Sequence, residues 1–158
     1  MDIRITAAPF DPNAECAAFA ADRADAGALV SFVGLCRQET AGRAVTGLTI
    51  DHYEGFTQTQ IARLAADVAR RYRVPDLLVI HRIGPILPGE AIVLVAALST
   101  HRGDAFEAVK VLMDYLKTDA PLWKKETGPD GARWVEPRQY DRLRRAALEN
   151  QACTLREL

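Results

Sequence analysis

The segment MDYLKTDAPLWKKE, residues 113–126, determines how the neighbouring sequence is interpreted. Its first half continues a pattern in which apolar residues recur at intervals of three and four, as on the buried stripe of one helix. The residues of that stripe are Phe106, Val109, Met113 and Leu116. The spacing predicts a helix from about Asp104 to Thr118.

Pro121 separates two lysines in this segment. Proline lacks an N–H and disfavours helical geometry in the preceding residue, so the helix is predicted to end by about Ala120 and to be followed by a loop. Lys117 then lies on the helix and Lys124 on the loop, which folds back and brings two ammonium groups to one space. The alternative is that both lysines are solvated near a helix C-terminus, where the dipole favours cations by about 0.3–1 kcal/mol.

Length and composition describe an ordinary globular domain. A chain of 158 residues, 49% of them hydrophobic, is long enough to bury a core without disulfides or metals. Its 20 basic and 21 acidic residues give a net charge of -1, which argues against a general nucleic-acid or membrane surface. The start of the chain lacks a signal-peptide pattern and no apolar run reaches membrane-span length, so we expect a cytoplasmic protein.

The cysteines Cys16, Cys36 and Cys153 are odd in number, widely separated and without a C-x-x-C pair. This spacing argues against a disulfide framework and against a structural zinc site. No metal site and no cofactor are predicted.

Hydrophobic periodicity predicts a mixture of strands and helices. Strands are expected at about residues 3–7, 28–33, 45–53, 77–83, 91–98 and 132–136, and further helices at about 12–22, between Gly55 and Pro75, and at about 137–150. Residues 38–44 are expected to form a mobile crossing, residues 84–89 a tight rigid loop and residues 128–131 a turn. Without repeats or linkers, the pattern favours one α+β domain over residues 1–158.

Capping residues predict where three helices begin. The predicted starts are Asp11 followed by Pro12, a capping box of Thr57 with Gln60, and its acidic analogue of Asp104 with Glu107.

His101 and Arg102 lie between a predicted strand and the first turn of the predicted helix. Backbone N–H groups and the helix dipole favour an anion there, so the pair predicts a phosphate site. The alternative is a structural histidine beside a surface arginine. Arg37 follows another predicted strand, and arginine offers a fixed fork of donors to phosphate or carboxylate oxygens.

Several stretches, taken in order and spacing, resemble one known family. They are GLCR at 34–37, LTIDHYEG at 48–55, VIHRIGPILPGE at 79–90, STHRGDAFEA at 99–108, YLK followed by P-x-W-K-K-E within 115–126, and RWVE at 133–136. Over about residues 28–138 the chain is similar to the large, catalytic subunits of molybdopterin synthase, the MoaE family. The resemblance implies an α/β hammerhead fold with an additional antiparallel sheet.

The resemblance implies a sulfurtransferase. In that family the thiocarboxylated Gly-Gly tail of a small ubiquitin-like sulfur carrier enters a pocket, and its sulfur passes to cyclic pyranopterin monophosphate to build the dithiolene of molybdopterin. The implied assembly is a homodimer with one carrier on each subunit, a heterotetramer. Neither nucleic acid nor membrane is an implied partner.

The resemblance also implies which residues act, with Lys117 as the principal catalytic residue and Lys124 as its helper. The residues implied to bind substrate or the carrier tail in the same pocket are Leu35, Cys36, Arg37, His101, Arg102, Lys117, Lys124, Lys125, Glu126 and Arg138. Two adjacent lysines disfavour each other's charge, so the pKa of at least one is expected to fall from about 10.4 toward neutrality. A neutral amine acts as nucleophile or base, and the remaining ammonium holds an anion.

Some residues depart from the family pattern or allow another interpretation. Asp119, at a position that is often basic in the family, is expected to point outward. Cys36 is expected to be a small buried hydrophobe rather than a nucleophile paired with His101. Trp123 and Trp134 are expected to pack in the core or at the rim, with Trp123 also open as a platform for the pterin. Two other functions stay open: a binding module without turnover, and a thiol-dependent transferase that uses Cys36.

Overall fold

The computed structural model describes residues 1–136 and 139–154, with side chains of the last helix described up to residue 148. The strands in this part of the chain are β1 (Asp2–Thr6), β2 (Ala28–Leu35), β3 (Glu39–Thr40), β4 (Arg43–Ala44), β5 (Gly47–His52), β6 (Asp76–Arg82), β7 (Gly84–Ile86), β8 (Ala91–Ser99), β9 (Leu122–Gly128) and β10 (Gly131–Val135). The helices are α1 (Pro12–Ala20), α2 (Phe56–Tyr72), α3 (Arg102–Thr118) and α4 (Gln139–Thr154). None of the described helices is long and apolar enough to cross a membrane.

The strands form two four-stranded sheets and a short hairpin. The first sheet has the order β1-β6-β8-β2, in which β1 is parallel to β6 and the other pairs are antiparallel. The second sheet, of order β10-β9-β5-β7, is antiparallel throughout, and β3 pairs with β4. The α+β prediction is confirmed, and the second sheet agrees with the additional antiparallel sheet that the resemblance implied.

Alternation along β6 explains how helices cover both faces of the first sheet. Leu77 and Val79 point toward α2 and α3 in the main core, whereas Leu78 and Ile80 point to the opposite face, which α1 covers. A third cluster belongs to the second sheet and contains Cys36, Leu48, Ile50 and Ile86. Leu122, the first residue of β9, packs against both this cluster and the main core. The start of β9 therefore lies where the two sheets meet.

Helix α3 has nearly the predicted bounds but a different buried face. Phe106 is 61% exposed, so its place in the predicted stripe is wrong. The buried apolar residues of α3 are Ala105, Ala108, Val109, Val111, Leu112 and Leu116. The small residues Ala105 and Ala108 thus occupy the buried face of α3, and the large Phe106 ring is on the exposed side.

One of the three predicted helix starts is correct. The Asp11 carboxylate accepts hydrogen bonds from the N–H groups of Asn13 and Ala14, as a helix cap should. The predicted Thr57 box is wrong, because α2 begins after Gly55 and the Thr57 hydroxyl donates instead to the Pro121 carbonyl oxygen at 3.0 Å.

The predicted cap of α3 is wrong as well. Helix α3 begins at Arg102, two residues before Asp104, and the residue at its N-cap, His101, makes no side-chain capping hydrogen bond.

Three predicted loops contain regular structure. Residues 38–44 include the β3–β4 hairpin, and residues 84–89 include β7. The chain after Pro121 is strand β9 rather than a loop, and it pairs with β5 and β10. The turn at residues 128–131 joins β9 to β10, as predicted.

Candidate active site

Lys117 and Lys124 approach each other from two elements on either side of Pro121. Lys117 lies in the last turn of α3, and Lys124 is the third residue of β9. Because side chains alternate along a strand, Lys124 shares the inward face of β9 with Leu122. The positive charge of Lys117 is close enough to affect the titration of Lys124.

The two lysines have different surroundings. Burial lowers the pKa of Lys124 most, the charge of Lys117 lowers it further, and the Asp141 carboxylate opposes both. The Lys117 side chain is 47% exposed, and its Nζ lies 3.5 Å from Asp141 Oδ1. The resemblance implied Lys117 as the principal catalytic residue, whereas the lowered pKa in the structure belongs to Lys124.

Asp141 is a member of this group that the sequence did not reveal. It lies in the first turn of α4 and is 8% exposed. Helix α4 is held against the end of α3 by ion pairs of Arg144 with Asp114 at 3.0 Å and of Arg145 with Asp119 at 2.8 Å. No local spacing rule connects Asp141 to Lys117, which is 24 residues earlier in the chain.

His81, near the end of β6, is a second group that the sequence did not single out. It is 2% exposed, and its Nδ1 lies 2.8 Å from the Arg82 carbonyl oxygen. Since a carbonyl only accepts, Nδ1 carries the proton and Nε2 keeps its lone pair. Burial, with a smaller contribution from the charge of Lys124, lowers the pKa of His81 to about 3. His81 therefore adds no positive charge beside Lys124 at neutral pH.

Leu35, Cys36 and Arg37 lie where β2 ends. Cys36 is buried, and its backbone N–H donates to the Glu90 carbonyl oxygen at 2.9 Å. Burial raises the pKa of the Cys36 thiol, and the charges of Glu126 and Glu90 raise it further. Cys36 is thus a protonated core thiol, in the position expected of a small hydrophobe. Leu35 and Arg37 are exposed to solvent.

Lys125 and Glu126 point to opposite faces of β9. Glu126 is directed inward, where it accepts hydrogen bonds from Arg133 at 3.0 Å and from the Thr40 hydroxyl at 2.9 Å. Lys125 is directed outward, with its Nζ 5.5 Å from the centre of the Trp134 ring. In this structure Glu126 holds neighbouring strands together, and Lys125 lies on the face away from Lys124.

The tryptophans lie on the same outer face as Lys125. Trp123 is 41% exposed and forms an edge-to-face contact with Tyr53, with 5.1 Å between ring centres. Trp134 is 59% exposed. Neither tryptophan lies in the core. The expected rim position therefore agrees with the structure, and the expected core position does not.

Asp119 turns toward α4, where its carboxylate accepts hydrogen bonds from Arg145 and from the Thr118 hydroxyl. Asp119 was expected to point outward, and it instead packs against α4 through Arg145. Arg138 lies outside the described residues.

His101 and Arg102 lie at the far end of α3 from Lys117. Arg102 is the first residue of the helix and Lys117 is in its last turn. A rise of 1.5 Å per residue separates their backbones by about 22 Å along the helix axis. One protomer therefore does not bring this pair to the lysines.

Arg37 is also remote from His101 in the same chain. Strands β2 and β8 are antiparallel, so Leu35 pairs with Ala91 whereas Ser99, two residues before His101, lies at the other end of β8. The length of β8 corresponds to about 26 Å. The implied single pocket is thus divided between two ends of the protomer.

The sequence and the fold both match proteins of known description. Residues 5–119 match the family described as MoaE protein. The chain is 46% identical over 142 residues to the molybdopterin synthase catalytic subunit of Caulobacter vibrioides, covering 90% of this chain and 93% of the relative.

Two solved structures have a similar fold. The molybdopterin biosynthesis MoaE protein from Burkholderia ambifaria aligns with a TM-score of 0.78 and 44% identity, covering 96% of this chain and 97% of that one. A chain from the complex of subunits 1 and 2 of molybdopterin-converting factor from Helicobacter pylori aligns with a TM-score of 0.71 and 23% identity, covering 85% and 90%.

Proposed function

This chain belongs to the MoaE family, and on that premise we propose that it is the catalytic subunit of a molybdopterin synthase. It transfers sulfur from the thiocarboxylated C-terminus of a small ubiquitin-like carrier to cyclic pyranopterin monophosphate, and so forms the dithiolene of molybdopterin. The structural observation that carries this proposal is the approach of Lys117 and Lys124 across the Pro121 break.

The lysine pair suits a reaction between two anionic partners. A thiocarboxylate and a cyclic phosphate both carry negative charge, which the exposed Lys117 ammonium attracts. A transfer at a carbonyl carbon also needs a group that takes up a proton or attacks the carbonyl, and a lysine with a lowered pKa is better suited to this than an ordinary lysine. Lys117 and Lys124 are accordingly the proposed catalytic residues.

A dimer is proposed because His101 and Arg102 are too far from the lysines of their own chain. If these residues bind the phosphate of the same substrate, a second copy must supply them. Each site would then combine Arg37, Lys117 and Lys124 of one protomer with the histidine and arginine of the other.

The exposed edge of the first sheet offers a way to form this dimer. Strand β2 is an edge strand that exposes Leu29, Phe32 and Leu35. An unpaired apolar edge is a template for pairing with another strand. Two copies of β2 paired antiparallel about a two-fold axis would set the Leu35 end of one beside the Ala28 end of the other. That places Arg37 of one chain near His101 of the second.

The proposed partner is the small sulfur carrier, whose C-terminal tail reaches the lysine pair. The similar fold in the Helicobacter pylori complex of subunits 1 and 2 is consistent with such a partner. One carrier on each subunit of a homodimer gives a heterotetramer. The cytoplasm is the proposed location, and three widely separated cysteines without a pairing pattern are in keeping with a reducing compartment.

The function is tested by mixing the purified protein with a thiocarboxylated carrier and cyclic pyranopterin monophosphate and measuring dithiolene formation. Lys117→Ala and Lys124→Ala are expected to lose turnover while remaining folded and able to bind the carrier. Lys110→Ala is the matched control, because Lys110 lies on the same helix but pairs with Glu107 on the exposed surface. No dithiolene from the wild-type protein would refute the proposal and leave the non-catalytic binding module as its replacement.

A further inference from the structure

Ion pairs join α4 to the region of α3, and they differ in which helix supplies the carboxylate. Asp114 and Asp119 are acids of the α3 region that pair with arginines of α4, which fastens the second helix to the first. Asp141 reverses this arrangement, because it is an acid of α4 that faces Lys117 at the end of α3. Its side chain is 12% exposed, so its charge is poorly screened by water.

Asp141 also acts on the second lysine. Besides burial, two charged groups among the described residues affect the titration of Lys124, namely Lys117 from α3 and Asp141 from α4, and the charge of Lys124 in turn affects His81 from β6. His81 is neutral at working pH. Asp141 is therefore the acidic group in this set, and its Oδ1 lies 3.5 Å from Lys117 Nζ.

We propose that Asp141 is a positioning residue that holds Lys117 in place as the cationic member of the pair, while burial beside that charge makes Lys124 the amine that accepts a proton. This inference rests on the proposed sulfur-transfer function. Asp141 itself takes no part in bond making. Its ion pair holds the Lys117 ammonium where the oxyanion or substrate phosphate is bound. Lys124 is buried beside that positive charge, so it is the lysine that loses its proton more readily.

The first experiment measures protonation without activity. Protein labelled with ¹³C at lysine Cε is titrated by NMR, and the Lys124 signal is assigned from its loss in Lys124→Arg. In Asp141→Asn the Lys124 midpoint is expected to move to lower pH, because the carboxylate that stabilised its ammonium is gone. Asp119→Asn is the control, since it removes one α3–α4 ion pair that does not face the lysines, and it should leave the midpoint in place. An unchanged midpoint in Asp141→Asn, or an equal shift in both variants, would overturn the proposal.

The second experiment measures the rate of a single sulfur transfer over a range of pH. Asp141→Asn is expected to lower the rate about 10- to 100-fold through misplacement of Lys117, and to move the rising limb of the profile to lower pH. Asp141→Glu should recover part of the loss, because it restores a carboxylate at a slightly different distance. A wild-type rate in Asp141→Asn would contradict the proposal. If the wild-type protein itself transfers no sulfur, the proposed function fails, and the NMR titration still decides the role of Asp141.

Discussion

At the scale of single residues, the protonation of His81 is linked to the stability of the fold. Its ring is buried and hydrogen-bonded to a backbone carbonyl, and burial lowers its pKa to about 3. In the unfolded chain the same ring titrates near 6.5. Between those values the unfolded state binds a proton that the folded state rejects, so the stability of the fold decreases progressively as the pH falls below 6.5.

We predict that the free energy of unfolding falls by up to about 1.4 kcal/mol per pH unit as pH drops below 6.5. His81→Asn keeps a side-chain donor for the Arg82 carbonyl but does not titrate, so its stability should depend less on pH between 6.5 and 5. Urea unfolding at several pH values measures the slope. Equal slopes for wild type and His81→Asn would show that other groups cause the acid sensitivity.

Cys36 provides a second prediction at this scale, which separates the lysine mechanism from a thiol mechanism. Its thiol is buried and its pKa is raised, so it is neither accessible nor ionised. Cys36→Ala is expected to keep most of the sulfur-transfer rate and to cost about 1 kcal/mol of stability. Dithiolene formation and thermal unfolding are the two measurements. A folded Cys36→Ala protein that binds carrier but does not turn over would favour the thiol-dependent transferase.

The sequence identified the lysines but not the groups that tune them. Lys117 and Lys124 could be named because a family motif and the Pro121 break are both local features of the chain. Asp141 and His81 could not, since their proximity to the lysines depends on how α4 docks and on which face of β6 is inward. Charge and burial at a site come from tertiary packing, which periodicity does not encode.

At the scale of elements, one acidic side chain connects β9 both to β10 and to the β3–β4 hairpin. Glu126 is 13% exposed and binds Arg133 across the pair and Thr40 in the β3–β4 hairpin. The resemblance assigned Glu126 to substrate binding, yet these contacts give it a structural task. It ties three strands together beside Lys124.

We predict that Glu126→Gln lowers the free energy of unfolding by about 1–3 kcal/mol, because a partly buried ion pair becomes a weaker neutral contact. Glu107→Gln is the matched control, since its pair with Lys110 is on the open surface of α3 and should contribute at most about 1 kcal/mol. Urea unfolding compares the two. A Glu126→Gln protein as stable as the control would indicate that Glu126 serves the substrate rather than the sheet.

The sequence predicted where the helices and strands lie in the chain better than it predicted which of their side chains contact other elements. Proline and glycine punctuation located most helices and strands within a few residues, since those signals act through the local backbone. Phe106 was assigned to the buried face because it is large and apolar, but α3 contacts its neighbours through Ala105 and Ala108. Likewise the Thr57 hydroxyl serves a carbonyl 64 residues away instead of capping its own helix.

At the scale of the whole molecule, the residues implied for one pocket lie at two ends of the protomer. Lys117 and Lys124 lie near the start of β9, and Arg37 follows the Leu35 end of β2. His101 and Arg102 lie beyond the other end of β8 and α3. The sequence could suggest these residues as a set but not their distribution between chains, because assembly depends on a surface that a single chain leaves open. The exposed β2 edge is that surface in our proposal.

We predict that mixed dimers distinguish a shared site from a single-chain site. Lys117→Ala and Arg102→Ala are each expected to be inactive as homodimers. If sites are shared, a dimer of one Lys117→Ala chain and one Arg102→Ala chain contains one intact site and one doubly impaired site. Random exchange makes about half of the dimers mixed, so sulfur transfer should return to about one quarter of the wild-type rate. The control mixes Lys117→Ala with Lys124→Ala, whose lesions fall on the same end of the protomer and leave no intact site in any dimer. Recovery in the first mixture alone supports the shared site, and no recovery in either would place every catalytic residue within one chain.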